Sequence, residues 1–222
     1  MLINADFSLR AIVTPEEQRW TASPQPGVER VMLDRVGGEK ARATSLVRYA
    51  PGSSFQAHEH PGGEEILVLS GTFADDESEY PEGWYLRNPP GSSHSPSSPK
   101  GAVIFVKLWQ MDANDQVVTR IDTHAPATWR EVDGQQMCPL HVSPRERVCL
   151  LRLPAGAEVL NPAEDDCELL IVSGALVEGN QHYAAGSWLR FPAGGFTTLH
   201  ADEGGATVYF RQGQLIGLGD LR

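Results

Sequence analysis

The chain has 222 residues, 41% of them hydrophobic and 21% charged, enough to bury one large core or two small ones and too apolar for a disordered chain. Its formal charge of −11 at pH 7 repels phosphate backbones and anionic headgroups, which argues against nucleic acid and membrane surfaces as partners. Residues 1–15 lack a basic start leading into a long apolar run, and no stretch approaches the roughly 20 apolar residues needed to span a bilayer, so a cytoplasmic location is expected.

In chain order, the first element is Thr14 followed by Pro15 and two glutamates, a cap and first turn that predict a helix over 15–20, of one or two turns at most. After it, β-rich runs at 66–69, 102–109, 147–153 and 207–211 alternate with turns rich in Gly, Pro, Ser and Asp, and the 22 glycines and 16 prolines are spread along the chain to match. The Ser/Pro tract 91–100 reads as a loop leaving a site, because strand-like sequence resumes straight after it. The class predicted is all-β.

The chain is also written twice. Tyr85-Leu86-Arg87-Asn88-Pro89-Pro90-Gly91 corresponds to Trp188-Leu189-Arg190-Phe191-Pro192-Ala193-Gly194, and Leu46-Val47-Arg48-Tyr49-Ala50-Pro51-Gly52 to Leu150-Leu151-Arg152-Leu153-Pro154-Ala155-Gly156. A repeat of roughly 100 residues means tandem domains, since solenoid repeats run about 20–50 residues. The expected division is a first domain at 1–111, a linker at 112–127 and a second domain at 128–222. Cys138, Cys149 and Cys167 form no Cys-x2-Cys pair and read as reduced structural thiols.

Chemistry concentrates in the first copy, in Gly52-x5-His58-x-His60-x3-Glu64-x6-Gly71 and then Gly83-x5-Pro89-x-Gly91-x2-His94. His58 and His60, two apart on a strand, point to one face and can reach one ion. Pro61-Gly62-Gly63 turns the chain so that Glu64 can add a carboxylate, and His94 would complete a set of three imidazoles and one carboxylate. Such a set suits Zn, Fe, Ni, Mn or Cu, with zinc the form expected on isolation.

These spacings resemble both motifs of the cupin superfamily, which implies two tandem double-stranded β-helix (jelly-roll) barrels. Glu64 is preferred over Glu65 because it leaves the six residues before Gly71 that the family pattern asks for, while Glu65 should face the other side of its strand. The family's second motif often carries an Asn four residues after its His; Ser98 stands there. In the second copy Pro162 stands for His58, Glu164 for His60, Glu168 for Glu64 and Thr197 for His94, so a metal-free barrel is expected, with His182 and His200 as displaced histidines. The acidic run Glu164, Asp165, Asp166 and Glu168 reads as a solvated turn, and His124 and His141 as ordinary loop or strand residues. Trp84, Tyr85, Phe105 and Trp109 are expected to fill the first barrel, and Phe55, Leu67, Leu86 and Phe105 to line its pocket.

The segments His58-Glu59-His60-Pro61-Gly62-Gly63-Glu64-Glu65 and Pro89-Pro90-Gly91-Ser92-Ser93-His94 resemble the ChrR cupin group, in which the cupin follows a helical anti-sigma domain with a zinc motif His-x3-Cys-x2-Cys. Fewer than 30 residues precede the first copy here and that motif does not occur, so sigma-factor binding is not carried over. The resemblance implies a metal-dependent module that senses or binds a small molecule or oxidant. A cupin dioxygenase holding Fe(II) on His58, His60 and His94, similar to acetylacetone-cleaving enzymes, is the other reading. A homodimer is the expected assembly.

Overall fold

The computed structural model describes residues 1–38, 40–160 and 165–213, and the positions 162 and 164 compared above lie outside them. The regular structure of the described residues is almost entirely strand, joined by turns; its one helical element is the 3-10 turn Pro126–Thr128. No helix in the described residues is long and apolar enough to cross a membrane. Two compact units emerge, one of residues 1–5 and 19–124, the other of 6–18 and 125–222.

This division differs from the sequence expectation at two places, each for a reason of strand pairing. Residues 6–18 belong to the second unit because Ala11–Val13 pairs antiparallel with Trp188–Phe191, placing Ile12 opposite Leu189. The stretch read as a linker contains the strand Thr119–Asp122, which pairs with Trp84–Asn88 and so keeps the first unit running to His124. The helix expected at 15–20 is a single turn. Its cap is a reciprocal one: Thr14 N–H and Oγ donate to Glu17 Oε2 at 2.9 and 3.2 Å, and Glu17 N–H donates back to the Thr14 carbonyl at 3.0 Å. With no apolar stripe following, nothing propagates it.

In the first unit, the path Val28–Gly37, Ala41–Tyr49, Ala102–Leu108, Glu64–Ala74, Trp84–Asn88 builds the main sheet, and its inward side chains form a core of Val28, Tyr49, Ile66, Val68, Ile104 and Val106 with their neighbours. Alternation decides who faces in. Leu67 and Phe105 are buried, yet they sit between the inward-facing pairs Ile66/Val68 and Ile104/Val106 and so point to the opposite side of the sheet, as does Tyr85 next to inward Leu86. That opposite side is also water-poor: Arg87 lies between Glu65 (3.1 Å) and Asp115 (3.0 Å), and Arg42 pairs with Asp34 at 3.2 Å. Both of these buried guanidiniums have a carboxylate, the condition under which such a charge is tolerated inside.

The second unit repeats the skeleton with the path Gln135–Val142, Glu146–Leu153, His200–Gly213, Cys167–Glu178, Trp188–Phe191. The core cluster of its described residues is built of aliphatic, aromatic and cysteine side chains, with Leu151, Leu169, Ile171, Leu176, Leu189 and Phe210 at its centre. Register corrects one alignment. Asn88 faces Glu64 in the first unit and Phe191 faces Cys167 in the second, so the counterpart of Glu64 is the core residue Cys167, and Glu168 corresponds to Glu65. Glu168 is fully buried, accepting from Trp188 Nε1 at 2.7 Å, instead of lying in a solvated turn. Cys138, Cys149 and Cys167 are free and buried, and burial pushes the Cys149 thiol up to about 12.

Candidate metal centre

Two short strands, His58–His60 and Ser92–His94, pair antiparallel apart from the main sheet, with His94 directly opposite His58 and Ser92 opposite His60. Period-two geometry puts His58 and His60 on one face, and cross-strand pairing brings His94 to the same place. The His60 carbonyl accepts from both Gly63 N–H (3.0 Å) and Gly91 N–H (2.9 Å), tying the two motif turns together. Only glycine fits the turn before Glu64: Gly63 has φ +76°, and a Cβ at Gly62 would lie 2.7 Å from the Trp109 backbone.

The outcome is convergence. His58, His60, Glu64 and His94 each offer a ligand atom, all within 4.8 Å of one another, with His58 exposed and the other three buried. Glu64 Oε2 lies 3.4 Å from His60 Nε2 and 3.3 Å from His94 Nε2. Ligand atoms on adjacent corners of a tetrahedron with bonds of about 2.0–2.1 Å stand about 3.3–3.4 Å apart, so these two edges have the size a divalent ion needs. The wider 4.8 Å limit of the set leaves it looser than a closed tetrahedron.

Electrostatics point the same way. Burial, reinforced by the neighbouring imidazoles, lowers His60 to about 3 and His94 to about 4, so both rings are neutral near pH 7. His60 Nε2 and both ring nitrogens of His94 are buried without a hydrogen-bond partner, and Glu64 Oε2 lies against the two Nε2 atoms. Burial raises Glu64 to about 7 against the opposing hydrogen bond from Asn88. A divalent cation at the centre resolves all three strains at once, and the donor set therefore fits one.

Outer partners orient the ligands. Asn88 Nδ2 donates to Glu64 Oε2 at 3.0 Å, Ser92 Oγ lies 3.3 Å from His60 Nδ1, and His58 Nδ1 lies 3.1 Å from the Gln56 carbonyl. A ring nitrogen facing a carbonyl must carry the proton, so His58 Nε2 keeps the lone pair. None of these partners was singled out from sequence. The usable signal was Asn88, a polar residue in a buried strand where the second copy has Phe191.

Glu65, the rival carboxylate, is turned away and bound to Arg87. Phe55 lines the cavity of about 450 Å³ next to His58, His60 and Glu64, together with Val28, Val47, Tyr49 and Trp109. Leu67 and Phe105 do not line it, because parity sends them to the other side of the sheet, and Leu86 is spent in the core below. Among the described residues of the second unit no comparable cluster forms: Thr197 is exposed, His200 is exposed, and exposed His182 contacts Asp202 at 3.2 Å. His141 sits 3.6 Å from Glu146, and His124 packs where a Cβ at Gly83 would fall.

The fold is a tandem cupin, with one candidate metal centre among the described residues. Residues 8–112 match the family described as ChrR Cupin-like domain, and the chain as a whole has the tandem cupin fold. Pirin YhhW from Escherichia coli, solved with nickel(II), superposes with a TM-score of 0.70 at 13% identity, covering 94% of this chain and 100% of that one. Protein YlbA from Escherichia coli gives 0.69 at 14% identity over 94% of this chain and 92% of its own. A deletion mutant of oxalate decarboxylase OxdC from Bacillus subtilis gives 0.60 at 13% identity over 95% and 80%. At these identities the likeness is one of fold. No curated protein matched the sequence.

Proposed function

We propose that the first unit holds one divalent transition metal on His58, His60, Glu64 and His94 and binds a small molecule or oxidant beside it, as a cytoplasmic sensing or binding module of the ChrR-like type acting in a stress response. The observation that carries this reading is the buried Glu64 carboxylate set against the unpartnered Nε2 atoms of His60 and His94, with Glu64 and His60 at the wall of a cavity. When bound, the ion supplies Lewis acidity and positions for exogenous donors. The chain's own part is to hold the His60 and His94 rings neutral, orient the ligands through Asn88, Ser92 and Gln56, and keep bulk water out with Val28, Val47, Phe55, Ile104 and Val106. Zinc is the ion proposed for isolated protein, with iron, nickel and manganese as the other members of the series. A homodimer is part of the proposal.

The same apolar cavity favours a second reading, a non-haem Fe(II) dioxygenase, since such chemistry needs a dry pocket beside the ion. The two part in one experiment. Protein loaded with Zn(II) or Fe(II) is exposed to hydrogen peroxide while a chromogenic chelator reports free metal, and the Fe(II) form is tested in parallel for oxygen uptake with 2,4-pentanedione. Stoichiometric ion release without catalytic oxygen uptake supports the sensing module. Multiple-turnover uptake replaces it with the dioxygenase, and neither response contradicts both.

A further inference from the structure

The cavity beside the candidate centre has a charged end that its apolar walls do not explain. On Val28–Gly37, Val28 faces Tyr49 and Arg30 faces Val47, all on the inward side. Simple alternation would then carry 32 and 34 inward and send Arg35 out. A bulge between Met32 and Asp34 reverses the parity, so Arg35 faces Ala43 and lines the cavity instead. Lys40, just past the hairpin turn, lines it too.

Three cations therefore share the cavity with the metal ligands, and among the described residues no carboxylate pairs with Arg30 or Arg35. Arg35 is only 9% exposed and donates to the Gly38 carbonyl alone; Arg30 Nε is buried without a partner. Burial, and after it the charge of Arg30 on the same cavity, lowers the pKa of Arg35, whereas buried Arg42 and Arg87 in this unit each have a carboxylate. Arg30, Arg35 and Phe55 also line an adjoining recess that includes Ser23, Pro24 and Gln25, which places them at the mouth. Three neutral imidazoles and one carboxylate around a divalent ion would leave the centre one positive charge in excess, adding to the same field.

We propose that this cavity is a binding site for a small organic carboxylate: its planar anion on the guanidinium forks of Arg30 and Arg35, its apolar body along Val28, Val47, Phe55, Ile104 and Val106. A single planar anion suits two forks, and the apolar wall beneath suits a hydrocarbon body. The inference deepens the ligand-binding reading above and rests on it for the ligand's place next to the ion, while the carboxylate contact itself belongs to the arginines.

The test is isothermal titration of the full chain with sodium octanoate, 1-octanol, octylamine and inorganic phosphate, in metal-loaded and metal-stripped protein, comparing wild type with Arg30→Gln and Arg35→Gln. Metal content and melting temperature are measured on every sample. The expected result is octanoate binding that weakens about tenfold or more in each variant while metal content and melting temperature hold, with octanol weak and unaffected and octylamine not bound. Equal octanoate affinity in Arg35→Gln, octanol binding as tightly as octanoate, or phosphate binding in its place would each overturn it. Arginine-dependent octanoate binding in a chain that takes up no metal would uphold the carboxylate site and overturn the metal reading instead.

Discussion

The two units share one backbone plan and differ in what they place at a single point of it. In the first, Glu64 faces Asn88 and meets three imidazoles; in the second, the same pair of positions is Cys167 facing Phe191 inside an apolar core. The glycine framework is untouched by the difference. Gly71 and Gly174 have φ of +73° and +72°, and a Cβ on either would fall 2.1 or 2.0 Å from the carbonyl of Gly101 or Gly205. The barrel is thus specified by turn glycines and inward apolar residues, and the site is an addition that four side chains and their outer partners make.

The sharpest way to break the comparison is at the ligands. His60→Ala should abolish stoichiometric metal, whereas Thr197→Ala, at the exposed position that answers His94 in the second unit, should leave it unchanged, as read by elemental mass spectrometry. Asn88→Ala leaves the four ligands in place but removes the donor that orients Glu64, so metal affinity should fall about 10–100-fold in a competition titration with a chelator. An unchanged affinity would show that strand register alone fixes the carboxylate.

The framework should respond alike in both units. Gly71→Ala and Gly174→Ala each force an L side chain into the left-handed region against a carbonyl, at a cost of about 1–3 kcal/mol or more in chemical denaturation. A large effect in one and none in the other would mean the shared plan is not equally strained.

The smallest effect concerns acid. Glu178 is held down at about 2, chiefly by hydrogen bonds from Arg10. Its folded value lies below the unfolded one, so its contribution to stability is present above about pH 4.5 and is lost as pH falls towards 2. In Arg10→Ala that window should flatten, seen as a smaller drop in melting temperature between pH 5 and 3 relative to wild type.

Much of this was legible in the sequence because its rules are short-range. His-x-His on a strand, a Pro-Gly-Gly turn and glycines at fixed offsets each fix geometry within a few residues, and the repeat carries the glycines, though not the histidines or that turn, into the second unit. What escaped depends on pairing between distant residues. Ala11–Val13 finds its partner in Trp188–Phe191 far along the chain, and no local pattern in 6–18 announces that. Parity is the other limit: residue type alone sends Glu168, Leu67 and Phe105 to the wrong face, and the bulge that turns Arg35 inward leaves no mark in residue type.

The most direct measurement is metal stoichiometry of the untagged chain from unsupplemented medium, by elemental mass spectrometry, next to the His58→Ala/His60→Ala double variant. One equivalent per chain, lost in the double variant, is the expected result. Two equivalents, none, or one that survives the double substitution would contradict a single centre built by the first unit.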